Sequence, residues 1–157
     1  LSIEVFLIAE KARKERPSER TRCFESDLSK NGLNINSRDR CGDPYGTWTA
    51  LHHVCRFRSV EGGQFLIEHG ADVNMRSNAG QKYSLTAATP LMFALSMGVP
   101  GLVQPLIEAK ANVRAKCGHK NTALHYALDH SESTGILPLL RAGAKFVPRY
   151  EPNVYPK

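Results

Sequence analysis

The chain has 157 residues, with 21 Lys and Arg against 15 Asp and Glu, a formal charge of +6 and a pI near 9.3. No apolar run is long enough for a transmembrane helix. Its four cysteines, Cys23, Cys41, Cys55 and Cys117, have irregular spacing and form no CxxC pair, which argues against a disulfide framework and for a reducing, intracellular setting.

The N-terminal stretch Leu1 to Ala9 is apolar but lacks a basic leader and a start Met. It is read as a helix belonging to a longer protein and not as a signal peptide. Ser2 to Arg16 forms that helix, with Ile3, Phe6 and Leu7 on its apolar side and Glu10 and Lys11 opening the polar side. Pro17-Ser18 breaks it. Cys23, Phe24 and Leu28 recur at helical spacing and mark a second helix ending near Gly32. Asn31 to Asn36 aligns with His69 to Asn74, so residues 1–36 form a degenerate first repeat or cap. Its outer surface either ends the stack or packs on more protein upstream.

Residues 37–74 follow as a fuller unit. Asp39, Gly42, Pro44 and Gly46 give turn chemistry to a finger that ends at Trp48. Thr49-Ala50-Leu51-His52 then opens a helix, and Phe65-Leu66-Ile67 lies on a second one. Gly62-Gly63 sits inside that second helix, where each glycine costs about 1 kcal/mol relative to Ala. Residues 75–113 have the longest finger, because Thr89 follows Thr49 by 40 residues whereas Thr122 follows Thr89 by 33. The seven extra residues fall near Gln81 to Ala88. Residues 114–147 complete the set with a finger of ordinary length.

The threonine hydroxyls can cap their helices, and Pro90 suits a first helical position. Pro105 and Pro138 occupy matching places in the second helices. An interior proline costs about 3 kcal/mol, so these helices are expected to start late, near Val103 and Ile136. Val54/Cys55, Ala94/Leu95 and Ala127/Leu128 are the packed side of the first helices. Residues 148–157 carry three prolines and read as an extended tail, with Tyr150, Val154 or Tyr155 packing on the last repeat.

The repetition is the strongest signal. The 33-residue offset carries Thr89 onto Thr122, Val103 onto Ile136, Pro105 onto Pro138, Leu106 onto Leu139 and Val113 onto Phe146. A period of this size marks a stacked solenoid. The Thr-x-Leu-His openings at Thr49 and Thr122, Thr89-Pro90-Leu91, and the closing Gly70-Ala71-Asp72-Val73-Asn74 resemble the ankyrin-repeat family over residues from about 31 to 147. The resemblance implies an all-α solenoid of helix-turn-helix units with long finger loops, about three repeats plus the degenerate N-terminal unit. It also implies a bond from the fourth-position histidine to the neighbouring repeat's backbone, lost where Met92 replaces it.

No catalytic motif is present: neither a nucleophile elbow, a P-loop nor a His-Glu-x-x-His pair occurs. His52, His53 and Cys55, and separately Cys117 and His119, lack the four convergent ligands a zinc site needs. The expectation is a module with no catalysis, cofactor or metal of its own.

Its partner is expected to be a protein or peptide, not nucleic acid, because Lys11, Arg13, Lys14, Arg16, Arg38, Arg40, Arg56 and Arg58 are scattered and no nucleic-acid motif accompanies them. Finger tips and first helices line one concave face, onto which Arg56 and Phe57, Ser96 and Met97, and Asp129 and His130 project by register. The expected contacts are Arg40, Trp48, Arg56, Phe57, Tyr83, Met97 and His130.

Two alternatives stand beside this one. The first is a reader of a modified lysine tail, known for some ankyrin modules. Trp48 with Tyr45, Phe57 or Tyr83 would form its cage, and Asp39, Asp43 or Asp72 its acidic neighbours. Against that reading stands the plainer one, in which Trp48 packs the finger onto the stack. The second is a scaffold domain of a larger enzyme. Within the groove reading, the long finger can also fold over Phe57 and Met97, with Tyr83 and Leu85 as covering residues.

Overall fold

A computed structural model describes residues 2–14, 26–40, 47–78, 85–129 and 135–148. It opens with helix α1, Ser2–Arg13, and a short helical stretch, residues 26–30, here α2. Three helix pairs follow: α3 (Ala50–Arg56) with α4 (Val60–Glu68), α5 (Pro90–Ser96) with α6 (Val103–Glu108), and α7 (Ala123–Asp129) with α8 (Ile136–Arg141). The first helices α1, α3, α5 and α7 touch in series, and α4, α6 and α8 stack beside them. Two two-residue strands, β1 (Asp39–Arg40) and β2 (Thr47–Trp48), pair antiparallel at the base of the first finger. Pro17-Ser18, Cys23, Phe24, Cys41 and the tail from Arg149 onward lie outside the described residues.

The first helices α3, α5 and α7 have seven residues each, too short to persist alone in water. Their stability comes from caps and from neighbouring repeats. The Thr49 N–H donates to Nδ1 of His52 at 3.1 Å, and the Thr122 N–H does the same to His125 at 3.0 Å. Thr89 caps α5 by accepting the Met92 N–H at 3.5 Å, with Pro90 in the first helical turn.

Each second helix ends in one turn geometry. A left-handed residue follows at Gly32, Gly70, Lys110 and Gly143, with φ of 60°, 84°, 67° and 82°. The next N–H then closes a six-residue loop: Leu33 to Leu28, Ala71 to Leu66, Ala111 to Leu106 and Ala144 to Leu139. This is the Schellman end, and the N-terminal segment shares it at Gly32.

Asparagine side chains then join one repeat to the next. Asn36 Oδ1 accepts the Asp72 N–H at 2.8 Å, and Asn74 Oδ1 accepts the Asn112 N–H at 2.7 Å. At the third joint Arg114 takes over, its Nε donating to the Gly143 carbonyl at 3.2 Å.

The prolines sit where their missing N–H does no harm. α6 starts at Val103 and α8 at Ile136, which makes Pro105 and Pro138 the third residue of each helix. A single 3₁₀ turn, Pro100–Leu102, leads into α6.

The structure corrects two expectations of burial. On α1 the inward residues are Val5, Phe6 and Ala9, while Ile3 and Leu7 are exposed. The helix is apolar on two sides, so periodicity alone did not choose the inner one. On α7, Ala127 is buried but Leu128 is 50 % exposed, because no described element covers that end of the stack.

Gly62-Gly63 also acquires a reason. A Cβ at Gly63 would lie 2.4 Å from Cδ2 of Leu102, and one at Gly62 would lie 2.1 Å from Oε1 of Glu10. Helix α4 is thus pressed between α1 and the following repeat. The Ser59 hydroxyl donates to Glu10 and accepts the Gly62 N–H, tying the α4 start to α1.

Candidate functional site

Helices α3 and α5 hand over to α4 and α6 through the same reversal. Phe57 ends α3 and Met97 ends α5, with their N–H groups bonded to His53 and Phe93 at 2.9 and 2.8 Å. The next residues, Arg58 and Gly98, are left-handed, with φ of 54° and 65°. The reversal places the side chains of Phe57 and Met97 at equivalent edges of successive repeats.

Phe57 is 52 % exposed although it is a large aromatic. It is not loose. Its ring stacks on Phe6 of α1 at 5.2 Å and on His53 at 6.3 Å, with interplanar angles of 14° and 19°. The ring is packed against these two neighbours and its remaining surface meets solvent. Arg56 beside it is exposed, with its guanidinium carbon 5.4 Å from the centroid of the Trp48 ring. Met97 is half-buried against the core.

Trp48 is only 4 % exposed. Its ring meets His53 and Phe93 edge-on at 5.4 and 5.3 Å, and Arg56 lies over it. No open ring face remains for a methylated ammonium. This corrects the cage reading: Trp48 packs the finger base onto the stack and serves the surface by holding Arg56. Of the other contacts expected from sequence, Arg40 enters only through the backbone of β1, paired with Thr47. Tyr83 and His130 lie outside the described residues, as do Tyr45 and Asp43.

The fingers lean on one another. Ser77 is buried and closes the long finger: its N–H donates to the Ala88 carbonyl at 2.9 Å, and its hydroxyl donates to the Leu85 carbonyl at 2.8 Å and accepts the Ala88 N–H at 3.0 Å. The Asn78 N–H reaches back to the Thr47 carbonyl at 2.9 Å, and the Gly118 N–H reaches the Thr86 carbonyl at 2.7 Å. Arg76 Nη1 adds a bond to the Lys116 carbonyl at 2.9 Å. Leu85 is buried in the core and leaves Phe57 uncovered.

His52 and Cys55 near this face bond to the next repeat's backbone. His52 Nδ1 accepts the Thr49 N–H, so its proton sits on Nε2 and is donated to the Ala88 carbonyl of the next repeat at 3.2 Å. The Cys55 thiol donates to the Pro90 carbonyl at 3.5 Å, and burial pushes its pKa up to about 12. Burial favours the protonated thiol, the less reactive form. Among the described residues no group of three or more His, Cys, Asp or Glu is placed to hold a metal ion, and no helix is long and apolar enough to cross a membrane.

Sequence reasoning missed the asparagine ladder and the Phe6 support of Phe57. The ladder had a signal, since Asn36 and Asn74 fall at one place in the repeat. The support had none, because α1 lies outside the regular period.

A family model of the ankyrin repeat matches residues 46–75. The chain is 28 % identical over 147 aligned residues to human neurogenic locus notch homolog protein 2, an alignment taking in 76 % of this chain. Neurogenic locus notch homolog protein 1 matches over the same length, at 28 % in Xenopus tropicalis and 27 % in Danio rerio. The matched region spans 6 % of the length of these relatives.

Proposed function

We propose that this ankyrin-repeat solenoid holds a peptide or protein partner against its concave face, without catalysis of its own. Ankyrin repeats are generally protein-protein interaction modules, and that much the family supplies. The finer reading rests on one observation: Phe57 is held rigid by Phe6 and His53 yet is 52 % exposed beside the exposed Arg56. A large apolar group in a wet position next to a cation suits a partner with an apolar anchor and acidic flanks. Met97 extends this edge into the next repeat. Arg40, Tyr83 and His130 belong to the same proposal through their register along the face, and Trp48 belongs to it as the platform for Arg56.

Capture experiments with this protein and with the Phe57→Ala/Met97→Ala variant test the reading, after helical circular dichroism shows that the variant folds. A partner bound by the wild type and lost from the folded variant supports it. Equal capture by both moves the site off this face.

A further inference from the structure

The fingers carry most of their charge with one sign. Residues 33–40, 71–78 and 111–121 hold Arg38, Arg40, Arg76, Arg114, Lys116 and Lys120 against two carboxylates, Asp39 and Asp72. Three of the cations share one place in the repeat. The amides of Leu33, Ala71 and Ala111 close successive Schellman turns, and five residues beyond each stands Arg38, Arg76 or Lys116. All three are exposed.

Two side-chain contacts make these positions a row. Arg38 Nη2 donates to the sulfur of Met75, the residue before Arg76, at 3.8 Å. Arg76 Nη1 donates to the Lys116 carbonyl at 2.9 Å. Each arginine thus crosses to the next finger and ends beside the next cation. Arg38, one of the scattered basic residues in the sequence, is the first member of a contiguous series in the fold.

The contacts leave the charge uncompensated. A thioether sulfur and a backbone carbonyl accept hydrogen bonds without carrying net charge. Among the described residues none of the three cations forms an ion pair with a carboxylate. A guanidinium has five N–H donors in a planar fork, so Arg38 and Arg76, each tethered through one nitrogen, keep donors for a ligand. The tether also removes part of the side-chain freedom whose loss weakens exposed ion pairs.

Spacing and composition choose the ligand. Packed helices lie about 8–10 Å apart, so equivalent finger positions recur at about that interval. An extended chain advances ~3.3 Å per residue, which brings roughly every third residue opposite one cation. Single-stranded nucleic acid is held by aromatic rings that stack its bases as well as by cations, and no Phe, Tyr or Trp occurs in these three finger segments. We propose that Arg38, Arg76 and Lys116 bind an acidic protein segment that runs extended across the fingers, with Asp or Glu at every third residue. This goes beyond the Phe57 edge: it is a second surface, and it selects its partner by the spacing of charge.

Fluorescence anisotropy tests this with the 157-residue protein and two peptides of equal composition, one with Asp at every third position and one with the same Asp residues adjacent. The spaced peptide is expected to bind about threefold or more tightly than the clustered one at low salt. Lys116→Glu keeps the backbone carbonyl that Arg76 uses and is expected to weaken the spaced peptide by about three- to tenfold, the scale of exposed ion pairs lost and reversed. Arg141→Glu on α8 changes the net charge equally and is expected to leave binding unchanged. No binding of the spaced peptide, equal binding of the two peptides, or equal weakening by Lys116→Glu and Arg141→Glu overturns the proposal. A single-stranded oligonucleotide bound more tightly than the spaced peptide, and lost in Lys116→Glu, overturns it in favour of phosphate. The Phe57→Ala/Met97→Ala variant is expected to retain the spaced peptide, which separates failure of the Phe57 reading from failure of this one.

Discussion

The middle repeat and the last repeat share a template but not an environment. Leu95 on α5 is buried because the chain entering α8 lies against it; a Cβ on Gly135 would come 2.5 Å from Leu95 Cδ2. Leu128, at the same place on α7, is half exposed. In a stack of repeats, burial belongs to the neighbour as much as to the residue, and stability is a sum over joints. The exposed edge at Phe57 follows the same logic, since its ring stacks on Phe6 of the preceding unit as well as on His53 of its own helix.

The largest test of this contrast is a pair of truncations. Leu95→Ala is expected to destabilise by about 2–4 kcal/mol, in the range for a buried leucine. Leu128→Ala is expected to cost less than about 1 kcal/mol, as for a partly exposed site. Chemical denaturation of both variants measures the difference, and equal losses would break the comparison.

The joints themselves give the next contrast. Helix propensity alone favours alanine over glycine by about 1 kcal/mol at either of Gly62 and Gly63. Gly63 faces the buried Leu102, so Gly63→Ala should instead destabilise by about 1–3 kcal/mol through overpacking. Gly62 faces the movable end of Glu10, so the propensity gain and the lost Glu10 to Ser59 bond nearly cancel there. Unfolding midpoints of the two variants separate close approach from propensity.

The smallest effect sharpens the comparison at the helix ends. Lys110 is left-handed where Gly70 and Gly143 serve the neighbouring repeats. Lys110→Gly is expected to stabilise by about 0.5–1 kcal/mol, because glycine adopts this conformation without the steric penalty a Cβ carries. Thermal unfolding reads the gain.

How much of this was legible in the sequence depends on where the period reached. Thr49, Thr89 and Thr122, the closing Gly-Ala-Asp-Val-Asn run and the two matched prolines gave helix starts, ends and repeat count, because each is a local requirement of backbone geometry. The inner face of α1 was not legible: Ile3 and Leu7 are as apolar as Val5 and Ala9, and only the contact with α3 and α4 separates them. Trp48 looked like a candidate ring for a cation, and its burial depends on Phe93, 45 positions away. That Phe57 and Arg56 face outward was readable from register alone. Half of the stacking on Phe57 comes from α1, a unit that the repeat pattern barely marks.

We propose that the first-helix edge around Phe57 receives the partner. A photo-crosslinking residue placed at position 57, and separately at Leu137 on α8, where the side chain is 54 % exposed, tests it most directly. A covalent partner adduct is expected from position 57 and none from position 137. An adduct from position 137 alone, or equal adducts from both, would contradict it.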